Sequence, residues 1–128
     1  MTYYFSKVLH NVSFEEALDR TKNALKKEGF GVISEINFQK TFKEKLNIDF
    51  RKYFIVQACS PADAHKSIVA EEKIGLLLPC NFLLQEKNNG IEVSSIDPRI
   101  MMQGLENESM EEIALDISQR LERVIENL

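Results

Sequence analysis

The residue best suited to chemistry in this sequence is a cysteine at the start of a predicted helix. Cys59 follows the apolar segment 53–58 and immediately precedes Ser60-Pro61. Serine at the N-cap and proline at the first helical position are typical helix starts. The free N–H groups and the positive dipole end at such a start favour a bound anion, or a thiolate with a lowered pKa. This segment therefore predicts either a binding site or a reactive thiol.

The second cysteine lies inside the most apolar run of the chain, residues 74–84. A run that is apolar at successive positions is typical of a strand buried on both faces. Pro79 in its middle cannot donate a ladder hydrogen bond, so it indicates a bulge, a break or an edge position. Cys80 and Asn81 follow this irregularity, where side chains can be directed at a ligand. We therefore expect a small-molecule or anionic ligand to bind where the Cys59–Ser60 helix start meets the Pro79–Asn81 break.

The spacing of the two cysteines predicts a shared cavity. The chain between strand 53–59 and run 74–84 holds one helix, which suits a right-handed crossover between neighbouring parallel strands. Cys59 and Cys80 would then lie at corresponding carboxyl ends, where α/β folds tend to bind ligands. The alternatives are an antiparallel pair or an intervening strand, which would leave the sulfurs at opposite ends, each packed alone.

Other functions are compatible with the same residues. A thiol enzyme or redox protein would use Cys59, with Cys80 as the resolving thiol and His65, later in the same helix, as an activating partner. A soft-metal site for Cu(I) would add Met101 or Met102 to the two cysteines. Both thiols could instead be small buried hydrophobic groups, and the domain could serve only as an interaction partner. No cofactor and no catalytic residue is assigned by the sequence.

Composition narrows the class of protein. The 128 residues are 44% hydrophobic and 28% charged, as expected for one globular domain. A net charge of −4 argues against nucleic-acid binding, which needs a cationic surface. The N-terminal residues lack the pattern of a signal peptide and no apolar run could span a membrane, so we expect a cytoplasmic location. Two cysteines are too few for a disulfide scaffold, and in that compartment they should be thiols.

Alternating strand and helix patterns place these residues in an α+β fold. Capping boxes at Ser13–Glu16 and Ser109–Glu112 predict the starts of the first and last helices. The turn 87–90 contains Asn-Gly and predicts a hairpin between segments 82–87 and 91–96. Strands are predicted at 3–10, 30–36, 53–59, 74–84 and 91–96, and helices at 14–28, 38–46, 61–71 and 109–128.

Four segments carry a resemblance to a known family: Ala58-Cys59-Ser60-Pro61-x-x-Ala64, the run Ile74–Asn81, Asp97-Pro98, and Met101-Met102. Over nearly the whole chain the sequence resembles the domain of unknown function 302 family. The resemblance implies a curved, mainly antiparallel sheet of about five strands with helices on one face, similar in topology to half of the TATA-binding protein. It allows a homodimer, and it implies no activity and no DNA binding. Its motif positions, taken as candidate ligand-binding residues together with Ser60, are Cys59, Pro61, Pro79, Cys80, Asn81 and Asp97.

Overall fold

The computed structural model describes residues 2–128. Five antiparallel strands form one sheet in the order β1-β5-β4-β3-β2, with helices packed on it, which confirms the predicted α+β class. In chain order the elements are β1 Tyr4–Leu9, α1 Phe14–Lys27, β2 Gly31–Asn37, α2 Phe38–Leu46, β3 Tyr53–Cys59, α3 Pro61–Ala70, a 3₁₀ helix Glu72–Leu77, β4 Cys80–Lys87, β5 Gly90–Ile96, α4 Pro98–Met101 and α5 Glu108–Glu126.

Two amphipathic helices, α1 and α5, cover one face of the sheet. The Ser13 side chain caps α1 by accepting a hydrogen bond from the Glu16 N–H at 3.0 Å, as the capping box predicts. Each large side chain that these helices bury contributes about 1.5–3 kcal/mol relative to exposure. The fully buried core that they enclose with the strands includes Leu25, Val56, Phe82, Val93 and Leu121. No helix in residues 2–128 has the length and hydrophobicity needed to cross a membrane.

The opposite face of the sheet, which we call the open face, carries rows of polar side chains. Ser34, Gln57 and Asn81 are hydrogen-bonded in a row across β2, β3 and β4. Ser6 and Ser94 pair across β1 and β5, with their hydroxyl oxygens 3.0 Å apart. These residues alternate along their strands with the core residues, as expected for a sheet with only one face fully packed.

The apolar run 74–84 is not the single strand that the sequence predicts. Its first part forms the 3₁₀ helix, in which Ile74 is buried but Leu76 is 84% exposed. The strand begins only at Cys80, directly after Pro79, whose peptide bond with Leu78 is cis. Apolar content alone does not separate a strand from a short buried helical segment, and the missing N–H of Pro79 marks the boundary between the two.

The last helix begins earlier than the predicted capping box. Its N-cap is Asn107, whose side-chain oxygen accepts a hydrogen bond from the Met110 N–H at 3.1 Å. The amide nitrogen of Asn107 also donates to the main-chain oxygen of Ala70 at 2.8 Å, at the end of α3. Ser109 is therefore inside α5, because a tertiary contact favours Asn107 as the cap. The segment between β5 and α5 also contains the one-turn helix α4.

Candidate functional site

The two cysteines lie on neighbouring strands at one end of the sheet. β3 ends at Cys59 and β4 begins at Cys80, and the antiparallel register pairs Ala58 with Cys80. The strands are adjacent, as expected, but the predicted parallel pairing is wrong. Between β3 and β4 the chain forms α3, which packs against α5, and then the 3₁₀ helix. This path brings the chain back to the end of the sheet where β3 stops, and β4 starts there.

Both cysteines border one small cavity, which we call the cysteine cavity. Its volume is about 20 Å³, enough for about one water molecule. Cys80 packs against the core, on the face that Phe82 occupies. Strand alternation places Cys59 on the other face, with Gln57. The remaining wall is formed by Phe30, Ala58, Ser60, Asp63, Ala64, Ser67, Leu78, Pro79 and Ile117. The cysteine cavity is therefore too small for an organic ligand.

Burial dominates the chemistry of both thiols. It raises the pKa of the Cys59 thiol above its ordinary value, and the Asp63 carboxylate raises that pKa further. Burial raises the pKa of Cys80 to about 11. Both thiols are thus protonated at neutral pH, and the expectation that the helix start lowers the pKa of Cys59 is wrong. His65, the predicted activating partner, is exposed and does not border the cysteine cavity.

A carboxylate of the chain already occupies the helix start that the sequence offers to an anion. Asp63 lies in the first turn of α3, and its Oδ2 accepts a hydrogen bond from Nη2 of Arg120 at 2.5 Å. Burial raises the pKa of Asp63, but hydrogen bonds from Ser60 and Arg120 and the Arg120 charge outweigh that effect, so the pKa is lowered. The negative charge of Asp63 offsets the positive electrostatic potential at the helix start, so little attraction remains there for an external anion.

Arg120 joins α5 to the end of α1 and the start of α3. Besides Asp63, its guanidinium contacts Asp116 at 3.0 Å and the main-chain oxygen of Glu28 at 3.3 Å. The guanidinium also lies over the Phe30 ring, 5.1 Å from the centroid. Its Nε is buried and makes no hydrogen bond within the described residues. Since the side chains of Arg120 and Asp63 are 17% and 13% exposed, this pair is mostly shielded from water. We assign it a structural role.

The proposed soft-metal ligands do not converge. Met101 borders a cavity on the open face and Met102 borders a cleft beside α5, and neither borders the cysteine cavity. Within residues 2–128, no cluster of three or more His, Cys, Asp or Glu side chains could hold a metal ion. A Cu(I) site at the two cysteines therefore lacks its expected methionine ligand.

The Asp97 side chain is hydrogen-bonded to other residues of the chain. Its side chain is 2% exposed and caps α4 by accepting a hydrogen bond from the Arg99 N–H at 3.1 Å. The Arg99 guanidinium and the Ser118 hydroxyl also donate to it, at 2.7 and 2.9 Å. Burial raises the pKa of Asp97, but these hydrogen bonds outweigh the effect and the pKa is lowered. Asp97 thus fixes α4 against α5, and it borders neither the cysteine cavity nor the cavity of the open face.

A larger cavity on the open face, which we call the open-face cavity, was not predicted from the sequence. Its volume is about 280 Å³. None of its side chains is charged, whereas the clefts at α2 and beside α5 both carry charged groups. Two of the sequence-predicted site residues, Pro79 and Asn81, belong to it. The full wall consists of Tyr3, Tyr4, Pro79, Asn81, Leu83, Ser94, Ser95, Ile96 and Met101.

The hairpin β4–β5 supplies the floor of the open-face cavity. Leu83 pairs with Ser94 across the two strands, and both alternate with core residues. This alternation was readable from the sequence and could have indicated the floor. Tyr3 and Met101 come from outside the hairpin, and no local pattern relates them. Tyr3 is held by its main-chain oxygen, which accepts a hydrogen bond from the Asp97 N–H at 2.8 Å.

The comparisons with known proteins concern family and fold. The sequence pattern of the family described as "Domain of unknown function DUF302" matches residues 5–128. The crystal structure of an uncharacterized conserved protein DUF302 from Bacillus stearothermophilus is similar, with a TM-score of 0.91 and 23% sequence identity, over 99% of this chain and 98% of that one. At this identity the likeness supports the fold alone. No curated protein matches the chain.

Proposed function

This chain belongs to the DUF302 family, whose description specifies no activity, and we therefore propose a function from geometry: it is a binding module for a small, neutral, largely apolar molecule. The proposed site is the open-face cavity. One observation carries the proposal, which is that a cavity of about 280 Å³ has no charged side chain in a protein with 28% charged residues. Ligand sites are typically apolar concavities with a few polar groups, and this volume suits a small ligand.

The proposed site includes only the Pro79–Asn81 part of the region that the sequence indicates. Pro79 and Asn81 border the open-face cavity directly. Cys59, Ser60 and Cys80 border the cysteine cavity instead, where the space admits about one water molecule. An anionic ligand is less well supported than a neutral one, because no Lys or Arg borders the open-face cavity and Asp63 carries a negative charge at the α3 start. Burial of apolar ligand surface would supply the affinity, at about 25 cal/mol per Å² before the costs of binding.

Protein-observed NMR tests the proposal. A panel of neutral aromatic and aliphatic fragments is titrated into ¹⁵N-labelled protein, together with phosphate and sulfate as anionic probes. We expect neutral fragments to shift the amide resonances of Asn81, Leu83, Ser94 and Ile96, because these residues form the floor and wall of the open-face cavity. The anions should leave them unchanged.

A matched pair of variants locates the site. Leu83→Glu places a charge on the cavity floor and should abolish fragment binding. Ile36→Glu makes the same change on β2, outside the cavity at a residue that is 37% exposed, and should leave binding intact. Fragment shifts confined to Cys59 and Ser60, or no saturable shift at all, would contradict the proposal.

The homodimer that the family resemblance allows stays a prediction. Sedimentation equilibrium measures the oligomeric state. A dimer that covers the open face would keep fragments from the cavity, and the titration described above would detect that outcome.

A further inference from the structure

A row of hydrogen bonds on the open face sets the orientation of the Asn81 amide. The Ser34 hydroxyl donates to Oε1 of Gln57, and Nε2 of Gln57 donates to Oδ1 of Asn81 at 3.2 Å. The row crosses β2, β3 and β4, which are neighbours in the sheet. Gln57 therefore accepts a hydrogen bond from β2 and donates one to β4, and Asn81 accepts with its oxygen on the β3 side.

This orientation leaves the Asn81 nitrogen available on the cavity side. Oδ1 of Asn81 points toward β3, where Gln57 lies, and β5 flanks β4 on the other side. The open-face cavity lies on that β5 side, since Ser94 and Ile96 contribute to it. No hydrogen bond among the described residues uses Nδ2 of Asn81. Its N–H groups are therefore donors without a partner at the cavity wall.

The hydroxyl groups of the cavity floor already have partners. The Ser94 oxygen lies 3.0 Å from the Ser6 oxygen, and the Ser95 hydroxyl donates to the main-chain oxygen of Ile96 at 3.0 Å. The other floor and wall groups include the apolar side chains of Leu83, Ile96 and Met101. Asn81 is thus the polar group of β4 and β5 best placed to orient a ligand.

We propose that the ligand of the open-face cavity carries a hydrogen-bond acceptor, a carbonyl oxygen of the ketone, ester or amide type, that binds the Asn81 N–H donors. Its apolar part then packs on Leu83, Ile96 and Met101. This inference rests on the proposed function, to which it adds the chemical class of the ligand. The Asn81 side chain is exposed when the cavity is empty, so a ligand that covers it without offering an acceptor leaves its N–H groups unpaired. This cost discriminates against an otherwise similar molecule that lacks an acceptor.

Two probes of similar shape test the inference, acetophenone with a carbonyl group and isopropylbenzene without one. In the wild-type protein we expect acetophenone to bind about three- to tenfold more tightly, the factor that one neutral hydrogen bond contributes. Its addition should also shift the Asn81 side-chain NH₂ resonances. Asn81→Asp keeps an acceptor for Gln57 but removes the N–H donors, so this variant should lose the preference. Asn23→Asp, the same change at an exposed residue of α1, should retain it.

The outcomes separate failure of the inference from failure of the proposed function. Equal affinity of the wild type for both probes, with binding abolished by Leu83→Glu, would overturn the acceptor preference and leave the binding site intact. A preference for acetophenone that survives Asn81→Asp would assign the donor to another group and overturn the inference in the same way. If neither probe shifts the resonances of the cavity residues, the inference and the proposed function are both wrong.

Discussion

The ion pair between Asp63 and Arg120 should contribute strongly to the stability of this fold. Removal of Arg120 by Arg120→Met takes the guanidinium donor from the mostly buried Asp63 carboxylate, which then keeps the Ser60 hydrogen bond, and it breaks the contact with the Glu28 carbonyl. Unpartnered buried charges are costly, so we expect a loss of about 3 kcal/mol in the free energy of unfolding. Asp63→Asn retains an oxygen that accepts from Arg120 and should cost about 1–2 kcal/mol.

A double-mutant cycle isolates the interaction itself. Because the two side chains are only 13% and 17% exposed and the N···O distance is 2.5 Å, the coupling should be about 1.5–3 kcal/mol at pH 7, the range for a charged hydrogen bond. The measurement is urea unfolding of the wild type, both single variants and the double variant, at constant m-value. The matched control is the exposed pair Glu16–Arg20 on α1, whose N···O distance is 3.7 Å and whose coupling should not exceed about 0.5 kcal/mol.

The coupling should also depend on pH in a defined direction. The pKa of Asp63 is lowered in the folded protein, after burial, which raises it, is outweighed by the Ser60 and Arg120 interactions. The stabilisation is therefore complete above the unfolded-state pKa of about 3.9 and is lost as the pH falls through the lower, folded-state pKa. A coupling equal to that of Glu16–Arg20 at pH 7, or one that does not fall with acidification, would refute a structural role for the pair.

Phe82 and Leu76 both lie in the apolar run, but the structure buries only Phe82 fully. Phe82→Ala should therefore lower the free energy of unfolding by about 3–5 kcal/mol, and Leu76→Ala by under about 0.5 kcal/mol. Urea unfolding measures both, and a cost above about 2 kcal/mol at Leu76 would contradict its exposure in the 3₁₀ helix. Gly90→Ala should destabilise by about 2 kcal/mol or more in thermal unfolding, because the added Cβ would lie 2.2 Å from a main-chain oxygen of β1; an unchanged Tm would exclude this close approach. Iodoacetamide at pH 8 should leave Cys80 unlabelled, since its pKa is about 11, and should label Cys59 only slowly. If the labelling rate is measured against pH, a midpoint for either thiol below the free-thiol pKa of about 8.5 would restore the redox hypothesis.

Local chemistry in the sequence determined most of the elements and the fold class. Ser13 and Gly29 bound α1 because capping and a left-handed helix end depend on residues only a few positions apart. The Asn-Gly turn likewise positioned the hairpin of β4 and β5. Such signals act within one or two turns of chain, and they are readable without knowledge of the rest of the molecule. The family motifs then predicted an antiparallel sheet, which the strand pairing confirms.

Tertiary structure decided the direction of strand pairing at the cysteines and the place of the candidate site. The sequence was compatible with a parallel crossover after Cys59, and only the packing of α3 on α5 returns the chain so that β4 runs antiparallel. The helix start at Ser60 predicts a site for an anion, but Asp63 in the same helical turn is paired there with Arg120, which is far away in the chain. Long-range contacts of this kind have no local signature.

The open-face cavity shows the same division between local pattern and tertiary assembly. Alternation along β4 and β5 determined that Asn81 and Leu83 face away from the core. Tyr3 and Met101 join them only because β1 pairs with β5 and because Asp97 fixes α4 against α5. The sequence by itself therefore determined which side chains are free of the core. The three-dimensional arrangement of distant segments decided which of them enclose a space, since enclosure depends on contacts between residues that the chain separates.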